Sequence, residues 1–281
     1  MIPVLNNPGQ PSEGAMFENR SGDTPIFSCY RSGSVVLLKL KNNLVNAISD
    51  IDIKELMFDY FKRFTSDPSV KVIILMGAEG KKGRNEYIDF YRKVACGSLS
   101  FDKLERLYHA LNQFILKLAT VNKYVIHADR GQIDTIFLSM ALACDYRVLA
   151  TGSVYQNPYH NIGLVPKGGL AYFLPRMIGS AAASKFLLRK DDITAKEALG
   201  IKIVDRIVPP DRLEEETVKM ARSIAEVPAE TLFGVKKLLN LSQDDLHRVL
   251  EVESIELRRI VRSEEFRQEV TGAVERFGVR Y

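Results

Sequence analysis

Residues 122–145 read NKYVIHADRGQIDTIFLSMALACD. A strand-like run from Tyr124 to Ala128 breaks at Asp129-Arg130-Gly131, and an apolar helical run follows from about Ile133 to Ala143. Strand, tight glycine turn and buried helix together present a helix N-terminus to whatever lies beyond the sheet. Free backbone N–H groups and the positive end of the helix dipole converge there, so an anion or a developing oxyanion is stabilised at that point. Many such junctions are only structural, and the rest of the chain decides between the two readings.

Outward from this stretch the same grammar recurs. Val35 to Leu40 reads as a buried strand, and a helix starting near Ser49-Asp50 carries Ile53, Leu56, Met57, Tyr60, Phe61 and Phe64 at helical spacing. Ser66-Asp67-Pro68 stops it, and residues 70–76 form a second continuous apolar strand closed by Gly77. Strands apolar along their whole length belong to a sheet covered on both faces. Residues 77–84 read as a glycine and lysine loop without the GxxxxGK[ST] order of a nucleotide-binding loop. A helix over about 101–118 leads into the organising stretch. Beyond it come strands at 146–150 and 154–157, a long loop over 161–169, helices over 170–178 and 181–188, and a capping box at Thr194 and Glu197. A strand over 203–208 is followed by helices with breaks near Pro228 and Ser242.

Bulk composition narrows the function classes. The chain has 281 residues, enough to bury a core without disulfides or metals. No apolar run approaches the roughly 18 residues a membrane span needs. Cys29, Cys96 and Cys144 are odd in number and far apart, and the four histidines are scattered, so neither a disulfide framework nor a metal site is expected. A net charge of +4 without a basic stripe interleaved with aromatics argues against nucleic acid. The N-terminus lacks the pattern of a signal peptide, which makes a cytoplasmic location the expectation.

The order of elements and several local phrases resemble the crotonase superfamily, the enoyl-CoA hydratase and isomerase relatives. The resemblance rests on Asn46-Ala47-Ile48-Ser49, on Asp67-Pro68-Ser69-Val70 into the second strand, and on Ala143-Cys144-Asp145. It continues through Ile162-Gly163-Leu164-Val165-Pro166 with Gly168-Gly169, then Thr194-Ala195-Lys196-Glu197-Ala198 and Val204-Asp205-Arg206-Ile207-Val208. It implies an α/β fold, a crotonase-like spiral of β-β-α units with a helical C-terminal region. On that reading residues 1–26 are an extended N-terminal segment, 27–210 the core, and 211–281 a helical region used for assembly into a homo-trimer or hexamer. It also implies an acyl-CoA thioester as substrate or ligand, with no other cofactor.

In such proteins two backbone N–H groups polarise the thioester carbonyl, commonly the largest single contribution to rate. The resemblance places these donors at Glu86 and Ile136, in phrases that have lost their small residues. The two carboxylates of a hydratase fall on Ser139 and Tyr159, so neither is present, and each lost acid or base removes about 10² to 10⁴ in rate. Glu86, Tyr159 and His160 are the candidates to replace them. Against these roles stand an exposed loop glutamate and structural hydrogen bonds. Asp134 reads as a helix-start residue favoured by the dipole, Asp129 and Arg130 as a space-filling ion pair, and Asn85 as a residue able to turn left-handed. Lys81, Lys82, Arg84 and Arg276 are the candidates for the CoA phosphates. Two functions stay open: a thioester-binding protein with altered or weak chemistry of isomerase, decarboxylase or hydrolase type, or a non-catalytic oligomer that keeps the fold.

Overall fold

Strand β3 (Val35–Leu40) and strand β4 (Val72–Met76) pair in parallel and bury side chains on both faces. Val36, Leu38, Ile73 and Leu75 point into one core and Val35, Leu37, Val72 and Ile74 into another, as the two-residue period of a strand requires. The computed structural model describes residues 19–24, 26–41, 51–80, 83–239 and 243–279. Lys81, Lys82, the Asn46-Ala47-Ile48-Ser49 phrase, Ser242 and most of the N-terminal segment lie outside them.

The main sheet runs β1-β2-β3-β4-β5-β7-β10. Here β1 is Asn19–Asp23, β2 Phe27–Ser32, β5 Tyr124–Asp129, β7 Tyr146–Ala150 and β10 Arg206–Val208. β1 to β3 are antiparallel and β3 onward parallel. β1 lies within the segment read as an extension, so the sheet begins before residue 27. A second, three-stranded sheet joins β6 (Gln132–Ile133), β8 (Val154–Tyr155) and β9 (Ile193–Thr194).

Helix α1 (Ile51–Ser66) links β3 to β4, and α2 (Arg84–Ala95) and α3 (Phe101–Thr120) link β4 to β5. The central helix α4 (Thr135–Leu142) is apolar apart from Thr135 and Ser139, and every one of its residues is buried. Helices α5 (Leu170–Ile178), α6 (Ser180–Leu187) and α7 (Ala195–Gly200) follow, the last opened by the reciprocal Thr194 and Glu197 capping bonds. Helix α8 (Leu213–Ala225) covers the second face of the sheet with Leu213, Val218 and Ala221.

The C-terminal helices α9 (Ala229–Leu239), α10 (Gln243–Ile260) and α11 (Glu264–Phe277) complete the chain. On α10, Leu246, Leu250 and Leu257 are buried while Val252 and Ile255 are exposed; α9 exposes Val235, Leu238 and Leu239, the last at 81%.

Two local readings are corrected. Residues 84–95 are helical, so the loop ends at Gly83 and Glu86 stands on a helix rather than on a loop; Tyr87, Ile88, Tyr91 and Val94 form its buried stripe at helical spacing. Asn85 therefore stays helical, and the preceding turn is made by Gly83 at φ 51°. A side chain there would also run into Gln156, whose Oε1 would lie 2.3 Å from the added Cβ.

Candidate functional site

The junction that opened the sequence closes differently from an empty anion hole. Asp134 takes the extended conformation of an N-cap, and its Oδ1 accepts from Ile136 N at 2.8 Å and from Phe137 N at 3.3 Å. The carboxyl group is 1% exposed. The Ile136 N–H, expected to receive a ligand's oxygen, is thus already bonded within the chain.

The second expected donor, Glu86, sits in the first turn of α2, where backbone N–H groups have no helical acceptor. Its side chain is half-buried. Arg84 N donates to Gln156 Oε1 at 2.7 Å, and the Arg84 guanidinium pairs with Asp192, itself held by Gln156 Nε2 at 2.9 Å. Arg84 also lies 5.0 Å from the centre of the Phe277 ring, and the exposed Arg276 lies 5.9 Å from the same ring. Two of the four expected phosphate cations are therefore brought to one aromatic side chain, from opposite ends of the sequence.

Both vacated carboxylate positions are committed to structure. Ser139 Oγ lies 2.7 Å from the carbonyls of Thr135 and of Lys167, either of which can accept its proton. Gly168 presses on it: a Cβ added at Gly168 would lie 2.5 Å from Ser139 Cβ. Tyr159 is 1% exposed and donates to Leu187 O at 2.7 Å, and His160 Nε2 contacts the same carbonyl at 2.5 Å. Burial raises the Tyr159 phenol and lowers the His160 imidazole from their ordinary ranges. The pair stacks with ring centres 4.5 Å apart, anchoring the segment Pro158–Ile162 to the end of α6.

Behind Ser139 lies a buried ionic cluster that sequence reasoning missed. Lys167 is 2% exposed; its Nζ contacts Asn112 Oδ1, lies 3.3 Å from Leu250 O and 3.7 Å from Glu253 Oε2, and sits 5.8 Å from the Tyr108 ring centre. Glu253 accepts from Gly168 N at 2.9 Å and Gly169 N at 3.1 Å, so α10 holds the glycine loop by its backbone. Burial lowers the Lys167 amine to about 8, the neighbouring Glu253 opposing the shift, and burial raises Glu253.

Three phenols pack between α2 and α3. Tyr91 and Tyr108 are hydrogen-bonded at 3.0 Å, and Tyr87 stacks on Tyr91 with ring centres 4.9 Å apart. Burial, before any charge effect, raises all three. On β5, His127 and Asp129 are fully buried, with His127 Nε2 3.9 Å from Asp129 Oδ2. The Arg130 guanidinium meets Glu79 at 3.1 Å, while the Asp129 carboxyl accepts from Arg130 N at 2.7 Å and crowds Gly77. Among the described residues no group of three or more His, Cys, Asp or Glu side chains gathers as a metal site would require, and no helix is long and apolar enough to cross a membrane.

Comparison with known proteins places this geometry in context. A family model described as enoyl-CoA hydratase/isomerase matches residues 30–281. The peroxisomal bifunctional enzyme of Pongo abelii is 28% identical over 198 residues, covering 70% of this chain and 26% of its own length, so the match spans about a quarter of that relative. The crotonyl-CoA hydratase of Syntrophomonas wolfei is 27% identical over 215 residues, covering 75% of this chain and 79% of its own. In three dimensions, the enoyl-CoA hydratase of Bacillus halodurans superposes with a TM-score of 0.75 at 22% identity, over 88% of this chain and 99% of the other. That likeness is one of fold.

Proposed function

The chain belongs to the enoyl-CoA hydratase/isomerase family, and from that premise we propose that it binds an acyl-CoA thioester without carrying out ordinary hydration. The observation that supports this is the use made of the two carboxylate positions. Water addition to an enoyl thioester needs one group to activate the water and another to protonate the α-carbon. Ser139 and Tyr159 instead hydrogen-bond backbone carbonyls, and neither ionises near neutral pH.

Decarboxylation on a polarised thioester needs no acid–base group, and isomerisation or hydrolysis needs one to move a proton or activate water, so each asks less of the site than hydration does. Glu86 N–H and its carboxylate at the start of α2 are the groups assigned to such chemistry, with Tyr159 and His160 holding the wall and Arg84 and Arg276, together with Lys81 and Lys82, meeting the CoA phosphates. The exposed apolar side chains of α9 and α10 are assigned to assembly as a trimer or hexamer.

A second reading rests on Asp134. Because its carboxylate caps the N–H that a thioester oxygen would take, a non-catalytic oligomer that keeps the fold for binding is the competing function.

The test is thermal unfolding with CoA, acetyl-CoA and longer acyl-CoAs, with turnover followed for whichever stabilises. A ligand at 100 times its Kd adds about 2.7 kcal/mol. A midpoint that rises with acyl-CoA and depends on the acyl chain supports the first reading; binding without turnover of any thioester supports the second, and no shift with any of them removes the acyl-CoA assignment.

A further inference from the structure

The two helix starts assigned to the thioester are capped in opposite ways. On α4 the Asp134 side chain takes the N–H groups of the second and third helical residues, Ile136 and Phe137. On α2 the capping position is Gly83, which has no side chain to take the N–H of Asn85 or Glu86. A Cβ added there would lie 2.3 Å from Gln156 Oε1 and 2.8 Å from Gln132 Cβ, so a capping side chain has no room unless Gln156 moves away. The bond that holds this first turn comes instead from far along the chain, where Gln156 Oε1 accepts from Arg84 N at 2.7 Å. It occupies the first N–H of the helix and not the third, which belongs to Glu86.

Gln156 is itself held at both ends. It is 5% exposed, and its Nε2 donates to Asp192 Oδ2 at 2.9 Å while the other oxygen of Asp192 pairs with the Arg84 guanidinium. Backbone N–H, amide, carboxylate and guanidinium thus close a ring that begins and ends on Arg84. Only one orientation of the amide satisfies it, with oxygen toward Arg84 N and nitrogen toward Asp192. Glu86 follows Arg84 at the fixed rise and rotation of a helix, so whatever tilts the first turn re-aims its N–H. A hydrogen bond weakens steeply as it departs from linear, and a backbone donor polarises a carbonyl only if it is aimed beforehand.

We propose that Gln156 is a positioning residue of the acyl site: by holding Arg84 N it aims the Glu86 N–H, two residues on, at the thioester oxygen. The proposal rests on the acyl-CoA reading above and names the side chain that keeps its donor in line.

The test uses three variants, with acetyl-CoA and free CoA as probes, since free CoA has no carbonyl. Gln156→Leu removes both bonds of the amide. Gln156→Glu keeps an acceptor for Arg84 N but sets a second carboxylate against Asp192. Gln156→Glu combined with Asp192→Asn rebuilds the ring with donor and acceptor exchanged, and the asparagine oxygen still meets the Arg84 guanidinium. By calorimetric titration both single variants bind acetyl-CoA about fivefold more weakly, the weight of one neutral hydrogen bond, and bind free CoA as wild type does. In isotope-edited infrared spectra the carbonyl band of acetyl-CoA labelled at the thioester carbon moves to lower frequency in wild type and stays near its solution position in Gln156→Leu. The double variant regains both the affinity and the band shift.

Gln156→Leu with a lowered unfolding midpoint but wild-type acetyl-CoA affinity and band position means that the ring only supports the fold, and overturns the proposal. Where Gln156→Leu fails to fold, the other two variants decide, and a double variant no better than Gln156→Glu overturns it. Wild type that binds neither probe overturns the acyl-CoA reading and this proposal together, whereas wild type that binds acetyl-CoA no better than the single variants do overturns the role of Gln156 alone.

Discussion

Replacing Asp134 by Ala separates the two jobs its carboxylate does. In the folded chain Oδ1 satisfies Ile136 N at 2.8 Å and Phe137 N at 3.3 Å, in a place that water does not reach. Loss of such an N-cap costs about 1 to 2 kcal/mol. For a domain of this size that lowers the midpoint by about 2 to 8 °C. The same substitution frees the Ile136 N–H and removes a carboxylate that competes with any ligand oxygen. One recovered hydrogen bond is worth about 1 kcal/mol, so the Kd for acetyl-CoA falls about fivefold. Asp134→Ser keeps a capping oxygen without the charge and restores most of the midpoint. The assays are thermal unfolding of the free variants and calorimetric titration with acetyl-CoA. An Asp134→Ala midpoint equal to wild type refutes the capping argument, and unchanged or weaker acetyl-CoA binding refutes the competition argument. Opposite signs for stability and affinity are what the geometry requires.

Ser139→Glu restores a family carboxylate but not hydration, because Gly168 leaves no room for the longer side chain; overpacking costs about 1 to 3 kcal/mol, and crotonyl-CoA hydration clearly above wild type would refute this. Gly77→Ala forces a methyl group onto the Asp129 carboxyl, 2.1 Å from Oδ1, and lowers stability by about 1 to 3 kcal/mol. Asp129→Ala in the same chain recovers part of that loss, and strictly additive effects in denaturant unfolding would show that the two do not touch. Lys167, with its amine lowered to about 8 by burial, takes up fewer protons folded than unfolded between that pH and the ordinary lysine range near 10.5. Its contribution to stability therefore rises with pH across that window, and Lys167→Met loses this rise relative to wild type; identical pH profiles for the two would contradict it.

The stretch at residues 122–145 was legible because its two parts are distinct: a short, mostly apolar strand that ends at a glycine turn, then a helix buried on every side. The capping box at Thr194 was legible for the same reason, since its two partners are three residues apart. Asp134 was readable as a helix-start residue, but whether its carboxylate faced a ligand or its own backbone depended on one side-chain torsion that no residue pattern encodes. Helix α2 was missed although Tyr87, Ile88, Tyr91 and Val94 carried its periodicity; the glycines and lysines just before it suggested a continuing loop. The Lys167 cluster left no local signal, because Glu253 looks like one more acidic residue on a charged helix and its partners lie about eighty residues earlier in the chain. Tyr159 and His160 share Leu187 O because α6 returns beside them, a consequence of packing rather than of spacing.

The bonds from Glu253 to Gly168 N and Gly169 N span 85 and 84 residues. On a ribosome adding about 5 to 20 residues per second, the glycine loop is made about 4 to 17 s before its anchor exists. During that interval the sheet and α4 are available to fold, while the loop beneath them lacks its acceptor and Lys167 lacks its counter-charge. Synthesis thus imposes an order: the frame is made early and the floor of the site is locked last. A nascent chain halted before α10 would carry a nearly whole sheet with an unlocked site, exposing the glycine loop to proteases until the final helices emerge.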